Sequence, residues 1–351
     1  KEGTMNRSAP IDRRRLLRMS ALGGAGLIVG PSIASALGAA RVSASGTTEP
    51  AALTDLNVQL GWIANVENAG EFVAASKGFY ADEGLNPTLT PGGPGAILEP
   101  TVVSGAALIG LSSADTIALA NAEGAGLKIV GVTLQQNPSA VMSLASNPVP
   151  DAKSLEGKRL GLQQSGDAIY QAFFIKAGVD ASQVTIVPVQ FDPAPLVAGE
   201  VDAFASFLVN QPIALEAEGI ETVTWLLADY GYNLYADAFF VTEDTLADEA
   251  ARDTVVRFLR ATRRGWEESI ADPAAAAQIV VDEYGAELDL DLDNQTATLE
   301  AFVPLIQTDE IAEQGLFWMT DEGIAANVET MQSVDIEVDE SLFTNELLEE
   351  L

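Results

Sequence analysis

Neither cysteine nor histidine occurs among the 351 residues of the chain. Without cysteine there is no disulfide, no thiolate nucleophile and no cysteine to carry a lipid; without histidine there is no Ser-His-Asp triad, and together the absences exclude Cys/His zinc sites. Catalysis would have to rest on carboxylates, Lys, Tyr or a bound cofactor, with the commonest neutral-pH proton shuttle missing. Positive charge is also scarce. Against 51 Asp and Glu stand 18 Lys and Arg, a formal net charge of −33. Seven of those cations fall in residues 1–44, so the remainder carries 11 basic and 49 acidic residues, a net of −38. Nucleic acid and anionic bilayer surfaces repel such a body, and neither is expected as a partner.

The cations that are present open the chain. Arg13-Arg14-Arg15-Leu16-Leu17-Arg18 resembles the twin-arginine export consensus, and a short apolar stretch from Met19 to Val29 follows, broken by glycines. That stretch is too short for a membrane span, which needs ~20 apolar residues. Small residues at Ala34-Ser35-Ala36 and Val42-Ser43-Ala44 offer cleavage sites. Residues 1–44 are therefore expected to be a twin-arginine-type signal peptide and the mature protein to lie outside the cytoplasm, periplasmic or extracellular. The signal could alternatively stay uncleaved as an anchor. No other segment is expected to enter a membrane.

Beyond Thr54, short β-rich runs alternate with helical segments, the mark of an α/β fold. Strands are expected at 56–62, 87–90, 107–111, 127–133, 140–145, 158–163, 184–189, 202–207, 221–227 and 237–242. Helices are expected between them at 70–80, 94–104, 114–123, 167–177, 193–199 and 210–218, and then in succession at 246–271, 273–284, 295–306 and 320–332. Two polar, Pro- or Gly-broken stretches, Leu134–Ser139 and Asp229–Tyr235, read as crossings between lobes. One lobe would then comprise 54–135 plus 236–345 and the other the insert 140–229, joined by a two-crossing hinge able to close on a ligand. A single doubly wound domain with a helical tail is the alternative.

Polar clusters recur where strands should end: Trp62-Ile63-Ala64-Asn65-Val66-Glu67-Asn68, Pro91-Gly92-Gly93-Pro94-Gly95, Ser112-Ser113-Ala114-Asp115, Gln163-Gln164-Ser165-Gly166-Asp167, Gln190-Phe191-Asp192 and Asn210-Gln211. Ligands of open α/β sheets bind at such strand ends, where helix N-termini supply unpaired donors. Each cluster taken singly also reads as helix capping or a turn. Repetition in both halves is what points to a cleft. Five arginines along one helix, Arg252, Arg257, Arg260, Arg263 and Arg264, read as i,i+4 partners of Asp253, Glu267 and Glu268.

The segments "GWIANVENAGEFVAASKGFYADEGLNPTLTPGG", "LIGLSSADTIALANAEGAGLKIVG", "KSLEGKRLGLQQSG", "LVAGEVDAFASFLVNQP" and "FLRATRRGWEESIADPAAAAQIV" resemble ABC-importer solute-binding proteins that share a fold with the fungal-type thiamine pyrimidine synthase. That group includes binders of thiamine pyrimidine precursors, riboflavin, sulfonates, taurine and nitrate. The resemblance covers about 55–285 and implies a type II periplasmic-binding-protein fold with two α/β lobes and a helical C-terminal part. It implies a small-molecule ligand and ABC permease subunits as partners, a monomer, no cofactor and no metal. Trp62 and Asn65 match a strand-terminal Trp and a following Asn that line the pocket of the pyrimidine and flavin binders. A frequent Pro is Ala64 here, a frequent His is Asn68, and an acidic residue found in some relatives is Gln211. Ligand contacts are expected from Trp62, Asn65, Glu67, Asn68, Ser113, Gln164, Ser165, Asn210 and Gln211, with a pyrimidine-like or other aromatic heterocyclic ligand, or else a sulfonate, taurine or nitrate. The synthase branch needs a Cys-rich motif and a His, so its chemistry is excluded and no enzyme is expected. An exported enzyme of another kind and a sensor domain remain the other classes.

Overall fold

The computed structural model describes residues 52–94 and 96–351, Ser165 by its backbone alone. The expected signal peptide lies outside the described residues. Among the described residues ten strands are formed: β1 (Thr54–Gln59), β2 (Leu85–Thr90), β3 (Ile109–Ser112), β4 (Leu127–Leu134), β5 (Ser139–Leu144), β6 (Arg159–Leu162), β7 (Thr185–Pro188), β8 (Ala203–Phe207), β9 (Thr222–Leu226) and β10 (Ala236–Thr242). They make two five-stranded sheets, ordered β2-β1-β3-β10-β4 and β7-β6-β8-β5-β9. This is the expected α/β architecture, built on two sheets between which the chain crosses twice.

The two orders follow one plan. In each sheet three strands pair in parallel, and the fourth runs antiparallel between its neighbours. The antiparallel strands are β5 and β10, the first strands formed after the chain has passed from one sheet to the other. Central strands β3, β5 and β10 are buried almost throughout, while β2 and β7 are half exposed. Continuous apolar runs such as Ala-Leu-Ile-Gly-Leu therefore occupy the middle of the sheets, covered on both faces. The two connecting segments are tied together, since Asn137 N donates to Asn233 Oδ1 at 3.3 Å and Asn137 Oδ1 accepts from Ser139 N at 2.8 Å. Apolar packing is continuous through this junction, from Ile129, Val132 and Phe240 by way of Tyr232 and Leu234 to Val141, Leu162 and Ala205.

Helix boundaries follow their caps. The expected helix 246–271 is divided, because Asp248 Oδ1 accepts from Ala250 N and Ala251 N at 3.1 and 2.8 Å and starts a new helix, Glu249–Ala271. Asp272 begins the next, Pro273–Ile279, which ends in a π-helical turn at Val280–Tyr284 instead of running on to 284. The expected helix 94–104 shrinks to Glu99–Val103. The arginines reach further than i,i+4 spacing suggests, and only Arg257 pairs that way, with Asp253 at 2.8 Å. Arg252 meets Glu350 at 2.6 Å, Arg260 meets Glu83 at 3.0 Å, Arg264 meets Asp82 at 3.1 Å, and Arg263 donates to the Leu316 carbonyl. Their long side chains fasten the helix to neighbouring segments, and Glu268 pairs with Lys77 instead.

Helix Ala69–Ser76 crosses Glu249–Ala271 at two glycines. A Cβ on Gly265 would lie 2.0 Å from the Gly70 carbonyl oxygen, and one on Gly70 would lie 2.1 Å from the Trp266 ring. Only glycine lets the backbones come so close. Gly265→Ala and Gly70→Ala should each cost about 1–3 kcal/mol or more, despite the higher helix propensity of Ala. Chemical denaturation should show a lowered midpoint with an unchanged slope.

Candidate functional site

β1 stops at Gln59 because its pairing with β2 runs out there. Trp62 therefore sits three residues beyond the strand, in the bend that follows, and not at the strand's last position as the sequence suggests. Its carbonyl accepts from Gly92 N at 2.7 Å. A Cβ at residue 92 would meet the Gly61 carbonyl oxygen at 2.6 Å, so the Pro91-Gly92-Gly93 turn is glycine-bearing in order to lie flat against this bend. Asn65 then caps the turn Val66–Asn68, its Oδ1 accepting from Glu67 N at 3.1 Å, while Gln295 Oε1 accepts from Val66 N.

Between the sheets lies a cleft with a volume of about 520 Å3. Such a volume lies within the roughly 300–1,000 Å3 of small-molecule sites and leaves room for a ring system. Trp62, Glu67, Ser113, Gln164, Asn210 and Gln211 line it together. Asn65 and Asn68 do not. Both are buried behind the wall, and each has a side-chain amide nitrogen without a partner. The side chain of Ser165 lies outside the described residues.

The lining side chains are committed to different degrees. Ser113 Oγ donates to Asp115 Oδ1 at 2.7 Å, and Asp115 Oδ2 accepts from Tyr232 of the second crossing at 2.5 Å. Gln211 Oε1 accepts from Phe207 N at 3.1 Å. Asn210 keeps its amide free toward the cleft at the start of helix Gln211–Ala217. Trp62, from the first sheet's side, meets Phe191, from the second's, edge to face with centroids 6.4 Å apart.

Ser112 and Gln163, named in the strand-end clusters but not as ligand contacts, also line the wall, and Glu99, Ser139, Ser206 and Asp237 join it without having been singled out as site residues. Ser112 Oγ donates to Glu99 Oε1 at 2.7 Å. Ser139 and Asp237 stand at the starts of the two antiparallel strands, immediately after the crossings. That position is the signal that would have found them, because a strand entering a sheet from the other lobe must begin at the cleft. Asp237 carries a positive φ of 48°, is 9% exposed and leaves Oδ2 without a hydrogen-bond partner. Glu67 is 7% exposed and faces the same space.

No Lys or Arg lines the cleft among the described residues. With no cation to compensate, burial pushes the Asp237 carboxyl up to about 7. Burial, then the nearby Asp237 charge, raises Glu67 well above the usual carboxylate range. One turn on, Glu71 is fully buried with both oxygens unpartnered, and burial raises it to about 8. Trp266 Nε1 lies near this carboxyl yet outside hydrogen-bond geometry, so neither group is satisfied.

A family model described as NMT1/THI5 like matches residues 65–276. The chain belongs to the NMT1/THI5-like family. A riboflavin-binding protein from Chloroflexus aurantiacus is 26% identical over 84% of this chain and 86% of its own. A formylaminopyrimidine-binding protein from Halalkalibacterium halodurans is 27% identical over 76% of each. The family also holds enzymes: a 4-amino-5-hydroxymethyl-2-methylpyrimidine phosphate synthase from Legionella pneumophila is 25% identical over 63% of this chain and 71% of its own. Among solved structures, the alkanesulfonate-binding protein of Xanthomonas axonopodis pv. citri, bound to MOPS, superposes with a TM-score of 0.58 at 16% identity, covering 82% of this chain and 96% of that one. At that identity the likeness is one of fold.

Carboxyls held above their unfolded values bind more protons in the folded chain than in the unfolded one between about pH 4 and 8. Stability therefore falls as pH rises through that window. Thermal melts of the ligand-free protein should give a higher Tm at pH 5 than at pH 8, and Glu71→Gln, which needs no ionisation, should flatten part of the slope.

Proposed function

We propose that the protein is an exported solute-binding protein of an ABC importer, closing its two lobes on a small planar heterocycle and passing it to the permease. The observation that carries this reading is the cleft itself, walled from both lobes, holding the half-buried Trp62 ring and free amides at Asn210 and Gln164, and lacking Lys and Arg. An aromatic face offers stacking. Polar groups around it reject analogues that would leave them unpaired. The names of the relatives agree in kind, since two of them bind vitamins or their pyrimidine precursors. The arginine-led segment 1–44 supports export.

A sulfonate or nitrate ligand is disfavoured on electrostatic grounds. The cleft wall presents Glu67, Glu99, Glu123, Asp167 and Asp237 and, among the described residues, no cation, so nothing there would compensate the desolvation of an anion. The raised carboxyls at Glu67 and Asp237 favour a second reading, an exported enzyme with a protonated general acid. Product formation with a candidate substrate would establish it.

A thermal-shift screen with aminopyrimidines, riboflavin, taurine, alkanesulfonates and nitrate tests the binding reading. A ligand present at 100 times its Kd should add about 2.7 kcal/mol of stability. Trp62→Ala should weaken a heterocycle by about 2 kcal/mol, a roughly thirtyfold rise in Kd. Shifts with anions alone, or unchanged binding by Trp62→Ala, would overturn the assignment.

A further inference from the structure

The carboxyls of Glu67 and Asp237 meet the cleft from two different elements, the turn after β1 and the first residues of β10. Both side chains are more than nine-tenths buried, neither has a salt-bridge partner, and Asp237 Oδ2 accepts no hydrogen bond. Residue 61 is a glycine, and a Cβ there would come within 3.6 Å of Asp237 Oδ1 and 3.3 Å of the Leu111 carbonyl oxygen. The Asp237 carboxyl thus stands close against the Gly61 backbone at the cleft wall, where any side chain on residue 61 would crowd it. A buried carboxyl with an idle oxygen is costly in the free protein, and that cost is relieved when a donor arrives.

Resting on the binding function proposed above, we propose that Glu67 and Asp237 form a proton-sharing carboxyl pair that selects ligands with an amidine-type N–C–N edge. Aminopyrimidines, amidines and guanidines present such an edge, with two nitrogens in one plane. Against a cationic edge the ionised pair accepts two N–H bonds. Against a neutral aminopyrimidine one carboxyl keeps its proton, donates it to the ring nitrogen and accepts from the amino group. In either case no donor or acceptor on that edge is left unpaired, whereas a carboxylate or sulfonate edge would bring acceptors against acceptors.

Among the described residues the surroundings carry no cation that would satisfy the pair internally. Glu71, on the following helix, is acidic and raised by burial; Glu99 is engaged by Ser112; the neighbour contributed by helix Leu292–Ile306 is the neutral Gln295. The pair therefore holds a proton near neutrality and releases it to solvent when a cationic ligand binds. Its affinity for a fixed cation should rise as pH increases through about 7.

Benzamidine and benzoate, planar and nearly isosteric with opposite edge chemistry, are the probes. Titration calorimetry of the full chain in two buffers of different ionisation enthalpy should show benzamidine binding at least tenfold tighter than benzoate. About half a proton should be released per benzamidine at pH 7, with an approximately tenfold gain in affinity from pH 6 to pH 8, as expected for a group titrating near 7. Glu67→Gln and Asp237→Asn should each abolish the proton release and weaken benzamidine at least tenfold. Both substitutions keep the side-chain shape, and Asn tolerates the positive φ at 237, so an unchanged melting temperature separates loss of recognition from loss of fold. Equal or tighter binding of benzoate, no detectable benzamidine binding at 10 mM (a concentration on the order of a weak-fragment Kd), or retained proton release in both variants would each overturn the pairing. Stabilisation by riboflavin that depends on Trp62 while benzamidine fails would overturn the carboxyl pairing alone and leave the importer reading standing.

Discussion

The close contact of Gly70 with Gly265 is the constraint on which the candidate site hangs. It draws the short helix after the Trp62 turn onto the long helix Glu249–Ala271 until the backbones almost touch. The position of that helix sets where the turn Trp62–Asn68 leaves the sheet, and so where the indole and the Glu67 carboxyl point. It also buries Glu71 beside Trp266 with no partner. The arginines then hold the outer face of the long helix, reaching Asp82, Glu83 and Glu350 on segments far away in sequence. Each of these ion pairs is partly exposed and worth little alone. Their use is geometric: one helix serves as the spine to which the turn, the start of β2 and the chain end are pinned.

Glu67, Glu71 and Asp237 show how stability and recognition are set against each other. Apolar residues in those places would make a more stable protein. At Glu67 and Asp237, carboxyls raised by burial instead leave the cleft wall with hydrogen-bonding capacity open to a ligand, while Glu71 lies behind the wall. This agrees with the general finding that groups with displaced proton affinity gather at functional sites. Here the displacement comes from burial, joined at Glu67 by repulsion from Asp237, with no cation among the described residues of the cleft to draw the values back down.

Much of the fold was legible because its signals are local. Every strand expected from an apolar run exists, with ends moved by a few residues, since Val-, Ile- and Leu-rich segments between turns can be little else in an α/β chain. The crossings between the sheets were legible from Leu134–Ser139 and Asp229–Tyr235, where a polar Pro-broken run and Gly231 with clustered aromatics interrupt the pattern. The site was legible less completely. Trp62 and Asn210 each stand three residues past the end of a strand, close enough for a strand-end rule to find them. Asp237 was invisible to that rule because it lies at a strand's beginning, and it matters only because β10 enters its sheet reversed. Asn65 looked like a ligand contact and serves as a backbone cap, a distinction that depends on which way one amide turns.

The placement of β10 also bears on how the polypeptide is made. The second sheet is assembled from one continuous stretch, residues 139–226, and can close as soon as that stretch has emerged. The first sheet cannot. β3 and β4 are brought together only by a strand synthesised more than a hundred residues after them, and until it arrives each exposes an unpaired, almost wholly apolar edge. The lobe that begins first is finished last, and the interval between is when the nascent chain is most open to misassembly and most dependent on a holding partner.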